Sequence, residues 1–287
     1  MAIHLKKLGA SRSYRAESGE FLCDGLKLLE DAALSSADIP AVLTAVPIPF
    51  PLSVDTRVYY ADRGLVDSLS PLKSAQGLLF SCKMRAQDSG LRDQETGDAE
   101  RAQGSGVGSV ECGVWSVELG DRGVGTHILL DSVQDPGNVG AIIRTANAFG
   151  ARSVVLYGAC ADVYNPKTIR ASMGAIFRQN ICKMDLPRLS ELKEGGLRFI
   201  GAALRKDCRA VFDADLSDAV IAIGSEGAGL SEEILSLCDE LVTVPIAAEC
   251  ESLNAAVAAA IIIWEASAAK QRREETGNRE QGTGNGE

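Results

Sequence analysis

The sequence predicts an α/β protein with two domains, the second of which is built on a parallel sheet. From residue 122 onward, strand-like apolar runs alternate with helix-like runs, a pattern typical of a parallel sheet covered by helices on both faces. Residues 86–121 are rich in Gly, Ser, Gln and charge, which is typical of a linker or insertion. We therefore expect a small α/β domain over 1–85, the main domain over 122–270 and a disordered tail over 271–287, where nothing remains to be buried.

The first domain is expected to combine a helix with short strands. Apolar residues recur at helical spacing from Leu22 to Ala33. Runs rich in β-branched, aromatic and other apolar residues predict strands over 41–46, 58–60 and 77–81. These elements together predict a small α/β domain.

The second domain is expected to repeat strand and helix in turn. Its strand-like runs are 127–133, 153–158, 197–204, 219–226 and 241–246. Its helix-like runs are 138–151, 167–177, 231–240 and 251–269. The first of these helices should end at Gly150, and Ser231 stands where it can cap the third, whose first turn is acidic.

The charge of the chain limits how it could bind nucleic acid. The net charge is −10 at neutral pH, which argues against a broad basic surface. Many carboxylates are concentrated in residues 86–121, whereas the N-terminal segment is richer in cations. Any contact with nucleic acid should therefore be local. The cations of that segment are Lys6, Lys7, Arg12, Arg15 and Lys27.

Cysteine and histidine usage gives no indication of a metal site. The eight cysteines are scattered without a CxxC pair, and the chain has two histidines, His4 and His127, so no familiar zinc spacing can be assembled. We expect mostly buried thiols in a reducing compartment.

The apolar run 255–264 is too short to span a membrane, and the first residues lack a secretory signal. The expectation is a cytoplasmic protein with neither metal nor membrane partner.

Three loops at the expected carboxyl ends of strands carry unusual residues. Such ends are where a parallel sheet binds nucleotide-like ligands. The loops are DPGN (135–138), with Asn138 in a position to cap the next helix, GSEGAG (224–229), and VPI (244–246) leading to ESLN (251–254). Each loop alone is weak evidence for a ligand site, since ordinary turns and helix caps use the same residues. A further glycine series at 104–108 follows charged residues rather than an apolar strand, so it favours no phosphate site.

Taken together and in this order, the loops resemble the SpoU/TrmH family of RNA ribose methyltransferases in the SPOUT superfamily. The three family motifs are matched by 135–151, 224–231 and 244–258. The segment DVYNPKTIRASMGAIFR (162–178) also resembles the family. Residues 1–85, with GEFLCDG and SAQGLLFS, resemble the small substrate-binding domain that often precedes it. The resemblance therefore covers nearly everything except the insertion and the tail.

This resemblance implies features that periodicity does not predict. The main domain should be a trefoil-knotted α/β domain, an exception to the rule that chains avoid knots. S-adenosylmethionine should bind in the knot, and two copies should pair as a homodimer. The third motif departs from the usual pattern at Ile246, Ala248 and the pair Ala255-Ala256. These changes concern the detailed shape of the cofactor pocket.

The resemblance also implies roles for particular residues. Those that would surround the cofactor are Gly224, Val244 and Leu253. Those that would line the reacting centre are Asn138, Arg144, Glu226, Ser252 and Asn254. Because the cofactor methyl is already activated, the protein must position a weak nucleophile and manage its proton. A free guanidinium keeps its proton, so we expect Arg144 to remain cationic, to hold the neighbouring phosphate and to stabilise the forming alkoxide.

Several functions remain open from the sequence alone. The favoured one is methylation of a ribose 2′-hydroxyl in RNA, with ribosomal RNA preferred over transfer RNA by analogy. A non-catalytic RNA-binding protein with the same fold is a second possibility. A knotted methyltransferase acting on a base is a third, although the pattern from Asn138 to Arg144 favours ribose. A Rossmann-type methyltransferase is disfavoured because no glycine-rich loop follows an early strand.

Overall fold

A computed structural model describes residues 1–85, 125–205, 208–247 and 249–282. The predicted linker 86–121, the glycine series within it, Ala248 and the last residues of the tail lie outside this description. The described chain divides into two compact units. The first contains residues 1–85 together with Asp135–Arg144 and Ala161–Cys182, and the second contains the remainder.

The N-terminal part of the first unit is a mixed four-stranded sheet with helices. Its elements are α1 (Ala2–Ala10), α2 (Arg12–Ser18), β1 (Glu20–Asp24), α3 (Leu26–Leu34), β2 (Ala41–Thr44), β3 (Arg57–Tyr60), α4 (Arg63–Leu69) and β4 (Leu78–Lys83). The strand order is β1-β4-β2-β3, with β4 antiparallel to β1 and β2, and β2 parallel to β3. Buried apolar side chains join α1, α4 and one sheet face into a core: Leu5, Leu8, Leu22, Leu43, Val66 and Leu79.

The predicted strands of this part are present, but the predicted helix from Leu22 to Ala33 is wrong over its first four residues. Leu22 belongs to β1, and the helix starts only at Leu26. Gly25 separates the two with φ 116°, a value that glycine adopts far more easily than other residues. Apolar residues stand on both sides of Asp24 and Gly25 because the strand and the helix are both partly buried, so helical spacing alone does not show where one element ends.

The rest of the first unit packs against the N-terminal strands and helices. It comprises the first part of α5 (Pro136–Ala148), α6 (Pro166–Ser172) and a 3-10 helix at Ala175–Phe177. The ring of Phe21 in β1 lies 4.6 Å from the ring of Tyr164 and 6.3 Å from that of Phe177. Residues 161–182 therefore share their packing with 1–85.

The helix predicted over 167–177 is interrupted in the structure. It ends at Ser172, and Met173 and Gly174 follow with φ values of 48° and 80°. A side chain at Gly174 would come within 2.6 Å of the Asp31 carboxylate. The chain therefore turns sharply at a position where only glycine fits.

The second unit is built on a parallel sheet, as the sequence predicts. Its strands are β5 (His127–Asp131), β6 (Ser153–Tyr157), β7 (Ile181–Lys183), which begins in the first unit, β8 (Arg198–Ala202), β9 (Arg209–Ala210), β10 (Ala219–Ile223) and β11 (Glu240–Thr243). The strand order is β7-β6-β5-β10-β8-β11-β9. Every residue of β5 and β10 is buried, which is the pattern of central strands covered on both faces.

The helices of the second unit are α7 (Leu186–Glu194), α8 (Glu232–Leu237) and α9 (Ala255–Gly282). Ser231 caps α8 as predicted, its hydroxyl accepting from the Ile234 amide. The structure differs at α9, which starts at Ala255 rather than at residue 251 and stays helical to Gly282, where a disordered tail is predicted. Glu, Gln and Arg are good helix formers that need no burial, so polarity alone does not end a helix. Among the described residues, no helix combines the length and apolar character needed to cross a bilayer.

Candidate active site

A cleft opens where β8, β10 and β11 end, on one side of the second unit. These strands are neighbours and parallel, so their carboxyl ends lie at the same sheet edge. The cleft has a volume of about 500 Å³ and is lined by the loop after β10 and the chain after β11. The predicted site residues along its walls are Gly224, Glu226, Val244, Ser252 and Leu253. Two separate sequence motifs therefore meet in one cavity.

The loop after β10 is a tight closed turn. The backbones of Ser225 and Gly229 exchange two hydrogen bonds of 3.0 Å, and the Ser225 hydroxyl accepts from the Ala228 amide at 3.3 Å. A side chain at Gly224 would overlap the backbone of Gly229, whereas one at Gly227 would meet no atom within 4 Å. Gly224 is thus required for the turn itself. Gly227 lies on the side of the loop where no other protein atom is close.

The third motif ends at Asn254, whose side-chain amide makes contacts in two directions. Its oxygen accepts from the amides of Ala256 and Val257 at 3.0 and 3.3 Å, which caps α9. Its nitrogen donates to the Glu226 carboxylate at 3.1 Å. Asn254 therefore fixes the start of the helix and connects it to the glycine loop.

Asp131 is a further residue of this sheet edge that the sequence motifs do not predict. It ends β5, the neighbour of β10, and its buried carboxylate accepts from the Ser231 amide at 2.7 Å. This contact anchors the end of the glycine loop, where α8 begins. A lone aspartate after an apolar strand is common, so the only available signal was a carboxylate in an otherwise apolar run.

The first motif lies in α5 and begins differently from the prediction. Asp135, not Asn138, caps the helix, because its carboxylate accepts from the Asn138 amide at 2.9 Å and Pro136 occupies the first turn. Asn138 therefore lies inside the first turn of the helix rather than at its cap.

Arg144 lies further along α5 and is exposed. No carboxylate among the residues that the structure describes forms an ion pair with it. Within the described residues, Arg144 is therefore not held in place by a surface salt bridge. The guanidinium is available for an anion from outside the chain.

Gly140, which lies between Asn138 and Arg144, brings α5 and α6 close together. A side chain at Gly140 would overlap the carbonyl of Thr168 and lie 2.6 Å from the β-carbon of Ala171. Gly140 thus sets the close approach of the helix that carries Asn138 and Arg144 to its neighbour within the first unit.

The basic residues of the N-terminal segment differ in how available they are. Arg15 is 4% exposed and donates to the Leu8 carbonyl at 2.7 Å and to the Asp162 carboxylate at 2.5 Å. Lys27 pairs with Glu30 at 2.9 Å. The prediction that Arg15 is among the cations available for nucleic acid is therefore wrong, because its side chain is buried in contacts within the first unit.

The described cysteines form no disulfide. Cys23, Cys82 and Cys182 are buried. Burial raises the pKa of Cys238 to about 11, with Lys193 opposing the shift. That thiol is therefore protonated at neutral pH. In the part of the chain that the structure describes, no group of His, Cys, Asp and Glu could hold a metal ion.

Comparison with known proteins finds a family model and several relatives that the chain resembles. Residues 125–264 match the model of the SpoU rRNA Methylase family. The 23S rRNA (guanosine(2553)-2′-O)-methyltransferase RlmP of Bacillus subtilis is 28% identical over 262 residues, which span 90% of this chain and 92% of that protein. The 23S rRNA (uridine(2479)-2′-O)-methyltransferase of Streptomyces viridochromogenes is 38% identical over 147 residues, about half of each chain (48% and 51%).

A solved structure extends the likeness to both units. The SpoU methyltransferase AviRb of Streptomyces viridochromogenes, in complex with AdoMet, matches with a TM-score of 0.71 and 26% identity. The match covers 94% of this chain and 97% of that one. The likeness therefore extends over the N-terminal sheet as well as over residues 125–264.

Proposed function

We propose that this chain is an S-adenosylmethionine-dependent methyltransferase that modifies a ribose 2′-hydroxyl in ribosomal RNA. The observation that carries the proposal is the cleft in which the second and third motifs meet within a SpoU-family domain. Relatives named as 23S rRNA 2′-O-methyltransferases support the reaction and favour ribosomal over transfer RNA.

The cleft fits S-adenosylmethionine. Its apolar wall includes Val244, Ile246 and Leu253, which suit an adenine ring, and the open space at Gly227 lets a ligand approach backbone. A cleft of about 500 Å³ is within the range of ligand pockets. When bound, the cofactor supplies a methyl group already activated by its sulfonium. In this proposal Gly224, Val244 and Leu253 hold it.

The remaining motif residues would position the ribose. Asn254 and Glu226 form a hydrogen-bonded pair at the cleft, and Ser252 lines the same wall. In this proposal, Asn138 and Arg144 of α5 complete the reacting centre. Arg144 binds the phosphate next to the target sugar and stabilises the oxygen as it loses its proton. The support for this role is that its guanidinium has no carboxylate partner among the described residues.

The proposal extends to the assembly of the protein. A trefoil knot in the SpoU domain would hold the cofactor, and two copies would pair through α9. Val257, Ile261 and Trp264 follow one another at helical spacing on α9 and are 49%, 36% and 53% exposed, so they form an apolar stripe that a second copy could cover. We also propose that residues 1–85 bind RNA and 122–270 carry the reaction, in the cytoplasm where ribosomal RNA would be met.

Transfer of labelled methyl groups tests the proposal. The full chain is incubated with methyl-labelled S-adenosylmethionine and either deproteinised ribosomal RNA, transfer RNA or DNA of matching sequence. Label should enter ribosomal RNA and not DNA, which lacks the hydroxyl. Cofactor binding without transfer to any nucleic acid would support the non-catalytic function instead, and label in transfer RNA alone would overturn the choice of substrate.

A further inference from the structure

We infer that the edge strand β3 binds unpaired nucleotides of the RNA substrate, with Tyr59 and Tyr60 stacking on bases and Arg57 contacting a phosphate. The inference rests on the proposed function and adds to it the surface that grips the RNA. It concerns the first unit alone and no residue of the motifs.

All four residues of β3 are exposed. Val58 is 36% exposed, Tyr59 39% and Tyr60 75%. The strand is at the edge of its sheet, paired on one side only with β2, whose residues are all buried. Exposed apolar edge strands invite pairing with other chains, and proteins usually protect them with charge, proline or bulges. Two neighbouring exposed tyrosines on such an edge therefore indicate a binding surface.

Arg57 supplies the charge that a nucleic acid requires. Within the described residues its guanidinium has no carboxylate partner. It lies two residues before Tyr59 on the same side of the strand, about 6.6 Å away along the chain. A phosphate and the base of a neighbouring nucleotide could therefore be bound together.

A groove beside Arg57 provides room for the RNA strand to continue past β3. Its volume is about 880 Å³, and Ser81 and Lys83 of β4 also line it. Lys83 is paired with Asp38 at 2.8 Å, and the other carboxylates of the groove are Glu20 and Asp55, so among the described side chains Arg57 is the cation that remains for a phosphate there. The register places Arg57 and Ser81 on either side of Ala41, a small residue that leaves the floor open. The Ser81 hydroxyl is buried and has no hydrogen-bond partner among the described residues, so it can donate to a ligand in the groove.

The residue types favour RNA over a protein strand. Tyrosine rings stack on bases of any sequence, and unstacked bases with aromatic partners are how single-stranded RNA is commonly bound. Tyr59 and Tyr60 point to opposite faces of the sheet edge, since they are consecutive in a strand. An added protein strand would use the backbone and would gain little from a cation at its end.

Affinity for RNA measured with full-length variants tests the inference. Tyr60→Ala should raise the Kd for a 23S rRNA transcript about 5- to 150-fold, the range for losing one stacked base. Tyr60→Phe should stay within about twofold, whereas Tyr60→Leu, apolar but not aromatic, should resemble alanine. Ile3→Ala is the matched control, because Ile3 is also 75% exposed in the same unit. Arg57→Ala should lower the slope of log Kd against log salt by about 0.7, and Tyr60→Ala should leave it unchanged.

The outcomes separate this inference from the proposed function. A wild-type enzyme that methylates RNA, together with Tyr60 and Arg57 variants of unchanged Kd, would overturn the inference only. A wild type that methylates no RNA would overturn the proposed function. Equal RNA binding by Tyr60→Leu and wild type, with a loss in Tyr60→Ala, would contradict stacking of Tyr60 on a base, because an apolar side chain without a ring would then suffice. Calorimetric affinity for S-adenosylmethionine should be unchanged in every variant.

Discussion

Arg144 is the residue on which the proposed chemistry depends most. It is exposed on α5 and has no carboxylate partner among the residues that the structure describes. Arg144→Ala should lower kcat about a hundredfold or more, on the order of 3 kcal/mol of transition-state stabilisation. Arg144→Lys should rescue little, because a point charge does not reproduce the guanidinium fork.

Steady-state kinetics with ribosomal RNA checks this prediction. Arg188→Ala is the control, since Arg188 is an arginine on a helix of the second unit, paired with Glu191 and far from every motif in sequence. Rates like those of the wild type in either Arg144 variant would remove the residue from the reaction.

The two glycines of the loop after β10 should behave differently when substituted. Gly224→Ala places a β-carbon on the backbone of Gly229, so the turn must open and cofactor binding should fall. Gly227→Ala meets no atom within 4 Å and should leave the turn unchanged. Titration calorimetry with S-adenosylmethionine measures both, with thermal unfolding to confirm folding. A folded Gly224→Ala protein that binds as the wild type would refute the role of the turn.

Residue types in the motifs could be predicted, while their local roles could not. Gly224, Val244 and Leu253 were expected at a cofactor site and lie on one cleft, although their contacts with a cofactor stay a prediction. Asn138 was expected to cap α5, but Asp135 does so because it precedes the proline. Asp131 was missed because its partner, the Ser231 amide, is distant in sequence.

At the scale of elements, the packing of α5 on α6 depends on one glycine. Ala is normally better than Gly inside a helix by about 1 kcal/mol. At Gly140, however, the added methyl overlaps the Thr168 carbonyl, so Gly140→Ala should destabilise the protein by about 1–3 kcal/mol. Urea unfolding measures the change. Ala148→Gly, on an exposed position of the same helix, calibrates the helix-propensity effect.

A stabilised Gly140→Ala variant would show that α5 and α6 are not in close contact. A destabilised variant with lower kcat would further connect this packing to the position of Arg144.

Strand positions were easier to predict than helix boundaries. The apolar runs of β5 and β10 are buried on both faces, so their composition alone identifies them. Helices were misjudged where a backbone turn interrupts an apolar run, as at Gly25 and at Met173. Short elements with few apolar residues, such as α2 and β9, gave no periodic signal and were missed.

At the scale of the whole molecule, the exposed stripe of α9 predicts self-association. Trp264 is 53% exposed, and Val257 and Ile261 continue the stripe. The wild type should be a dimer at micromolar concentration, and Trp264→Glu should be a folded monomer because it places a charge within the proposed apolar interface. Light scattering with chromatography measures the mass, and Ile3→Glu is the control on another exposed apolar residue. A monomeric wild type would contradict the assembly.

Domain organisation was the feature least accessible from the sequence. The composition break at residue 86 predicts two consecutive domains, whereas residues 161–182 pack with 1–85 in one compact unit. The contacts responsible, Phe21 with Tyr164 and Arg15 with Asp162, join positions far apart in the chain. An isolated 120–270 fragment would expose this surface, so substrate binding by 1–85 is better tested with point variants of the full chain.

The site of the transferred methyl group tests the central claim most directly. Alkali cleaves RNA because each 2′-oxygen attacks the adjacent phosphate, so a methylated 2′-oxygen leaves one resistant linkage. Ribosomal RNA treated with the enzyme and methyl-labelled S-adenosylmethionine should yield label in a single alkali-resistant dinucleotide. The resistant linkage of that dinucleotide lies on the 3′ side of the modified ribose. Label recovered on a free base after hydrolysis would contradict ribose methylation and assign the enzyme to base modification.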